Sequence, residues 1–460
     1  PFGQTWVNSV YPAGDSNPTN NARNNSLAAW TMQRYTSTDL SITEKMTLFW
    51  LNHFAVNLQN EARSSYDYIM LLRNNCLGNF KQLVKDITIN PEMLVFLNGS
   101  SNTLYSPNEN YARELLELFS IGKGEQIGPG DYTNYKEEDI LMGSRILTGW
   151  RVRGRRSTTD TQVYSEFDPV LHDNTDKTLS SHFGNALIEG NVAAEYSDYI
   201  DVIFQQDACA EFICTKLYRY FVNYDITTEV ETDVIPVMKQ TLLNNNYDVL
   251  PVMEELLKSE HFYDVSLRGC QIKSPIETLC TWFNSTLSTP NYDLESNYRL
   301  YLNMYYASAI QGQNIGSPPS VGGWPAYYQA PSFSQLWLNS TYLKLRFDYA
   351  AYLTIYGGFD FNGNKYKTNA LNLVDGLSVP NDAIAVIDDL CDLYFCKDVG
   401  AANKTVLKSI LTNGLPDFEW TIQYNDYQAN QGDVTYSDPV RTRVELVLVQ
   451  IFKMAQFQTI

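Results

Sequence analysis

Apolar residues in this chain recur at every third or fourth position far more often than they alternate, which is the period of a helix rather than of a strand. The clearest run is 192 to 311. There "AAEYSDYIDVIFQQ", "ACAEFICTKLYRYFV", "DVIPVMKQTLLNN", "VLPVMEELLKSEHF", "SPIETLCTWFNSTL" and "ESNYRLYLNMYYASAIQGQ" follow one another with short connections. Upstream, "SITEKMTLFWLNHF" predicts a helix opened by a capping box of Ser41 and Glu44. "YDYIMLLRNNCLG" predicts a second helix ended by Gly78, "NFKQLVKDITI" a third, and Pro91 starts a short fourth. Beyond the Pro/Gly loop "SPPSVGGWP", "SFSQLWLNSTYLKLRFDYAAYLTIY" predicts a long helix, and further helices are expected over 381–396, 401–413 and 440–457. Strand signal is thin. In "FDFNGNKY", Asn362-Gly363 between aromatic residues predicts a small type I′ hairpin; Lys365 and Leu371 stand where a calcium loop needs Gly and Glu. The chain therefore reads as mainly α. Residues 1–38, rich in Asn, Pro, Gly and Thr, are expected to form an irregular arm. Residues 39–460 are expected to form a single large multi-helix domain with irregular loops and at most small β-hairpins.

One predicted helix carries an unusual polar face. In "SPNENYARELLELFSIGKG", residues 106–124, Ser106 and Glu109 have capping-box spacing, Pro107 sits at the first position and Gly122 ends the pattern. Tyr111, Ala112, Leu115, Leu116, Leu118 and Phe119 share one arc. Glu109, Arg113 and Glu117 fall on the other at i, i+4 and i+8, with Asn110 and Glu114 beside them. Spacing alone describes a solvated ion-pair ladder.

Composition narrows the functional classes. The 460 residues include 52 acids against 33 Lys and Arg, a net charge of −19, which argues against a nucleic-acid partner. Arg151, Arg153, Arg155 and Arg156 are a local exception, read as a solvated loop paired with acids or as a small anion site. No apolar run has the roughly 18 residues of a membrane-spanning helix. The seven cysteines fit no metal-ligand spacing, and the pairs Cys209/Cys214 and Cys391/Cys396 lie about 140° apart around a helix. The chain begins at Pro1 rather than Met, so it reads as processed or trimmed, and its five Asn-x-Ser/Thr sequons are too few to establish glycosylation in so Asn-rich a chain.

"LFWLNHF", "LLRNNCLGNFKQLVKDITINPEML", "PNENYARELLELFSIG", "EEDILMGSRILTGW", "FDPVLHDNTDKTL", "FICTKLYRYFV", "SEHFYD", "KSPIETL", "PPSVGGWP" and "AQFQ" occur in this order. By these motifs the chain resembles the bacterial domain-of-unknown-function family numbered 1800, well over residues 40–350 and loosely over the helical extension 351–460. The resemblance carries no established activity. It implies export to the periplasm, cell surface or extracellular space, often by the twin-arginine route, and a sulfatase-like exported protein or other envelope proteins as partners. If the protein is exported, some of the cysteines from 209 to 396 are expected to pair. The family signature falls on Asn108, Glu109, Asn110, Arg113, Glu114 and Glu117, which favours a polar network over a bare ladder. The family's usual "WHNHF" is "WLNHF" here, so Leu51 removes one half of any His-x-His metal pair.

Four histidines are present: His53, His172, His182 and His261. His172, among Asp168, Asp173, Asp176 and Lys177, has the surroundings of a general base, whereas His53 on an aromatic-rich helix reads as a core histidine. The expectation for function is an exported enzyme or glycan- or ester-binding protein. In it Glu109, Arg113, Glu117, Arg145, His172 and Asp173 line one polar cleft, with Asn108, Asn110, Trp150 and Trp324 as binding residues. No metal or cofactor is identified. The alternative is a non-catalytic structural or assembly component of an envelope complex.

Overall fold

The computed structural model describes residues 4–14, 16–37, 39–190, 192–286 and 293–460. The protein is 59% helical, and among the described residues the strands occur only as two-stranded antiparallel ribbons. One apolar core runs from Leu27 through Trp50, Leu115, Leu217 and Leu300 to Phe457. The period-based expectations hold through the centre: helices span Asp207–Phe221, Ile235–Asn244, Val249–Lys258, Pro275–Thr286 and Leu294–Ile310. The "NG" hairpin also forms, with Phe359 opposite Tyr366 and positive φ at both Asn362 and Gly363.

The amino-terminal expectation is corrected. Most of the stretch read as an irregular arm is a helix, Ser16–Tyr35, packed against Leu294–Ile310. Leu27, Trp30 and Met32 give it a buried face, and the buried side chains of Asn20 and Arg23 are hydrogen-bonded, although Asn24 Oδ1 and Tyr35 Oη are buried without a partner. Asn20 accepts from Tyr11 Oη at 2.7 Å and from the Ala62 amide at 3.0 Å, and Arg23 donates to the carbonyls of Ser9 and Val10. An Asn-rich helix is tolerable when its amides are used, a condition composition does not reveal. Residues 1–3, 15 and 38 of the expected arm lie outside the described residues.

Two predicted capping boxes are replaced by other contacts. The first helix begins at Thr43, and Glu44 pairs with Arg73 at 2.7 Å instead of returning to the cap. The signature helix begins at Asn110 rather than Ser106. Asn102 Oδ1 accepts from the Asn108 amide and Asn108 Oδ1 from the Asn110 amide, each at 2.9 Å, so the preceding residues form a turn. From Leu115 to Ser120 the helix widens to a π-helix. A helix over Asp417–Ala429 was not anticipated. The expected cysteine pairing does not occur: all seven are free, and Cys209 and Cys214 fill the apolar core.

Candidate functional site

The residues expected to line one cleft fall into separate clusters. Arg113 donates to Glu137 at 2.9 Å and to Glu109 at 3.2 Å, and lies 3.6 Å from Glu117. Glu117 in turn accepts from Tyr135 Oη at 2.6 Å and from Lys123 at 3.1 Å. The Glu137 carboxylate, with the other two acids, holds the guanidinium above its ordinary value, and Arg113 draws Glu137 below its own. The Arg113 side chain keeps 33% exposure, so this is a half-buried network at the surface, neither a free ladder nor a sealed core.

Glu137 opens the helix Glu137–Ile146 and Arg145 stands near its end. They stand eight positions apart, about 12 Å of helix. Arg145 binds Asp173 at 2.8 Å. Burial pushes the Asp173 carboxyl up, but hydrogen bonds from Arg145 and Thr175 outweigh it and leave it well below the carboxylate range. His172 points inward. Its Nε2 meets Glu195 at 2.7 Å, its Nδ1 meets the Thr148 carbonyl at 2.8 Å, and Lys177 caps the other oxygen of Glu195. The side chains of this triad are at most 1% exposed, so His172 reaches no solvent-borne substrate.

The expected binding tryptophans are core residues. Trp150, 8% exposed, packs edge-on against Phe167 and Tyr196, and Trp324 is 1% exposed. Asn108 and Asn110 shape the turn before the signature helix. In the arginine cluster, Arg153 pairs with Glu166 at 2.9 Å, while Arg151 and Arg156 donate to the Ser100 carbonyl and to Asn17.

A pocket with different chemistry lies at the carboxyl end of the signature helix. Asn52 and His53 enter it from the helix Thr43–His53, and Lys216 and Arg219 from Asp207–Phe221. Glu277 comes from Pro275–Thr286, and Ser334 lies beyond the "GGWP" loop. The loop can close on Asn52 because Gly323 has φ +84°, and a Cβ there would stand 2.2 Å from Asn52 Oδ1. The same Asn52 oxygen accepts from the Trp324 amide at 2.8 Å. The wall at 271–273 is fixed by the chain terminus, with Lys273 N donating to the Gln458 carbonyl at 2.8 Å.

Widening of the signature helix leaves the Leu118 and Phe119 carbonyls available at its end. Phe119 O lies 3.1 Å from His53 Nε2, and Leu118 O accepts from Lys216 Nζ at 3.0 Å. A carbonyl only accepts, so Nε2 carries the proton and Nδ1 is bare; Lys216 Nζ stands 3.2 Å from that Nδ1. Burial, and then the Lys216 charge, hold His53 well below its ordinary value, so the ring is neutral. Burial and the neighbouring Arg219 guanidinium push Lys216 down from 10.5 to about 7.

Arg219 lies over the Phe333 ring at 4.6 Å, and burial lowers it as well. Among the described residues neither Lys216 nor Arg219 forms an ion pair with a carboxylate: Lys216 meets only a carbonyl and an imidazole nitrogen, and the Asp225 charge acts on Arg219 without a salt bridge. Arg219 Nε and the buried Ser334 hydroxyl have no hydrogen-bond partner. The only acid lining the pocket is Glu277. Burial raises it, but Lys45 at 2.8 Å and the Ser274 amide and hydroxyl bring it below its ordinary value. Behind it Lys273 and Arg346 are buried on oxygen acceptors without a carboxylate. In a chain of net charge −19 this corner is electropositive.

Sequence reasoning passed over Lys216, Arg219 and Glu277. The available signal was within "FICTKLYRYFV": two bases one turn apart, with no acid at i±3 or i±4 of either. His53 was correctly read as buried, but its bare nitrogen depends on backbone carbonyls that a sequence does not display. Among the described residues no group of three or more His, Cys, Asp or Glu side chains is placed to hold a metal ion, and no helix is long and apolar enough to cross a membrane.

Four of the stretches that carried the resemblance, "LFWLNHF", "FICTKLYRYFV", "KSPIETL" and "PPSVGGWP", supply walls of this one pocket, and "PNENYARELLELFSIG" supplies the carbonyls behind it. No curated protein and no solved structure matches the chain significantly. A family model covers residues 5–458, nearly the whole length, and the chain belongs to that family, described as "Protein of unknown function (DUF1800)".

Proposed function

We propose that this is an exported protein of the cell envelope that binds a ligand through one small anionic group, such as the acid of a sugar or of an ester, in the Lys216–Arg219 pocket. The observation that carries the reading is the pair of pocket cations without carboxylates. A cation taken partly out of water without a partner costs stability, and a site that retains two of them gains that energy back when an anion arrives. The cavity volume of about 40 Å³ limits what enters. That is room for roughly three water-sized groups, a carboxylate, phosphate or sulfate rather than a whole sugar ring. Arg219 supplies a planar fork suited to such a group, and Ser334 a free hydroxyl.

Export and a sulfatase-like partner rest on the family resemblance alone, and the free cysteines add nothing to them. The binding claim is tested by thermal unfolding at constant ionic strength with acetate, phosphate or sulfate replacing chloride. At least one anion should raise Tm in the wild type and not in Arg219→Met. If none does, or if the variant responds equally, the alternative of a non-catalytic assembly component takes precedence.

A further inference from the structure

We propose that Lys216 is a covalent site, its Nζ condensing with the carbonyl carbon of a small oxo acid whose anionic group rests on Arg219. This rests on the anion-binding reading above and adds a reaction to it.

The argument starts from the valences of Nζ. A neutral amine has two N–H bonds and one lone pair. Both local neighbours of Nζ are acceptors only: the Leu118 carbonyl at 3.0 Å and the bare Nδ1 of His53 at 3.2 Å. They take the two N–H bonds, and neither can donate to the lone pair. The lone pair is therefore the valence left over, on a residue that lines the pocket. Phe212 lies under Nζ at 4.4 Å and excludes water from that side. Arg219, one turn along the same helix, repels the protonated form, which is the arrangement that activates an amine nucleophile by a second cation. Near pH 7 the neutral amine is then on the order of a hundred- to a thousandfold more abundant than in an exposed lysine.

The step balances without a co-reactant. The Nζ lone pair forms a C–N bond to the carbonyl carbon, and the carbonyl oxygen takes a proton. The carbinolamine then loses that oxygen as water, leaving a protonated iminium. Amine, carbonyl compound and one proton give iminium and water. An oxo acid suits the pocket because its carboxylate and carbonyl carbon are adjacent, as Arg219 and Lys216 are.

Lys273 is an internal control. Burial lowers it too, to about 8, but its Nζ donates to the Phe457 carbonyl at 3.0 Å, lies over the Phe457 ring, and does not line the pocket. Lys344, 75% exposed, is the solvent control.

The test is reductive trapping of the wild-type chain at pH 7 with cyanoborohydride and either glyoxylate or acetaldehyde, read by peptide mapping. Glyoxylate should modify Lys216 at least tenfold faster than Lys344 and leave Lys273 untouched. Acetaldehyde should show a smaller preference, and Arg219→Met, which also withdraws the charge that favours the neutral amine, should reduce the glyoxylate preference more than the acetaldehyde preference. If glyoxylate raises Tm but Lys216 is trapped no faster than Lys344, the covalent step is overturned while anion binding stands. If glyoxylate and acetaldehyde label Lys216 alike, with or without Arg219, the oxo-acid assignment is overturned.

Discussion

The signature helix has a cationic cluster on its flank and another at its end, and the two are built oppositely. On the flank, Arg113 lies among Glu109, Glu117 and Glu137, with Lys123 as a second cation on Glu117. At the end, Lys216 and Arg219 meet carbonyls, a bare imidazole nitrogen and an aromatic ring. The first arrangement is complete without a ligand. The second is electrostatically unfinished, and its cost is carried by the rest of the fold. Charged residues in a family signature thus need not be the site: here the polar flank fixes the helix, and the backbone at its end holds the lysine.

The sharpest contrast is between the pocket and the buried triad of His172, Glu195 and Lys177. Lys177→Met leaves Glu195 sealed with one of its two oxygens uncompensated, and should cost roughly 4 kcal/mol. Denaturant unfolding at pH 7 measures it. A loss under about 1 kcal/mol would mean that the triad is wetter than its 1% exposure implies.

Lys216→Met should move stability the other way. The folded value of about 7 lies below the ordinary 10.5, so between those limits the unfolded chain binds more protons and stability rises with pH. Below pH 7 both states are protonated and the full cost of burying the charge is present. Removing the ammonium should therefore stabilise the protein most below pH 7, by roughly 2 kcal/mol against an upper limit of about 5 from the shift itself. The gain should fade as pH rises towards 10.5. A variant destabilised at every pH would place Lys216 with the completed networks instead.

What the sequence discloses follows the same division. Period and turn chemistry are local, so the helices from 207 to 310 and the Asn362-Gly363 hairpin were legible. Whether Asn20 in a polar amino-terminal helix finds Tyr11 and Ala62 is a long-range question, and that helix was missed. The signature residues were identified, but their partners were not. Glu137, the closest partner of Arg113, lies 24 positions away, beyond the reach of helical spacing. Lys216 looked like any base on an amphipathic helix, because the carbonyls that hold it belong to residues 118 and 119 of another segment.

The smallest expected effect belongs to the polar flank of the signature helix. Replacing Arg113 with Ala removes contacts to three acids, more than an isolated surface pair, whose loss is worth under about 1 kcal/mol. It also leaves those acids free to turn into water, since the Glu109 and Glu137 side chains are 46% and 40% exposed. That relief separates it from the triad, where Glu195 has nowhere to go. The expected cost is about 1 kcal/mol, most of it shared with Glu137, whose two oxygens meet both terminal nitrogens of the guanidinium at 3.0 and 2.9 Å. A double-mutant cycle with Glu137→Gln isolates that pair and should return on the order of 0.5 kcal/mol or more, falling with added salt. Anion binding in the pocket should be unchanged, because Leu118 and Phe119 hold Lys216 and His53 through backbone carbonyls. If Arg113→Ala instead cost roughly 3 kcal/mol and abolished binding, the flank and the pocket would be one cooperative unit, and the division drawn between them would be wrong.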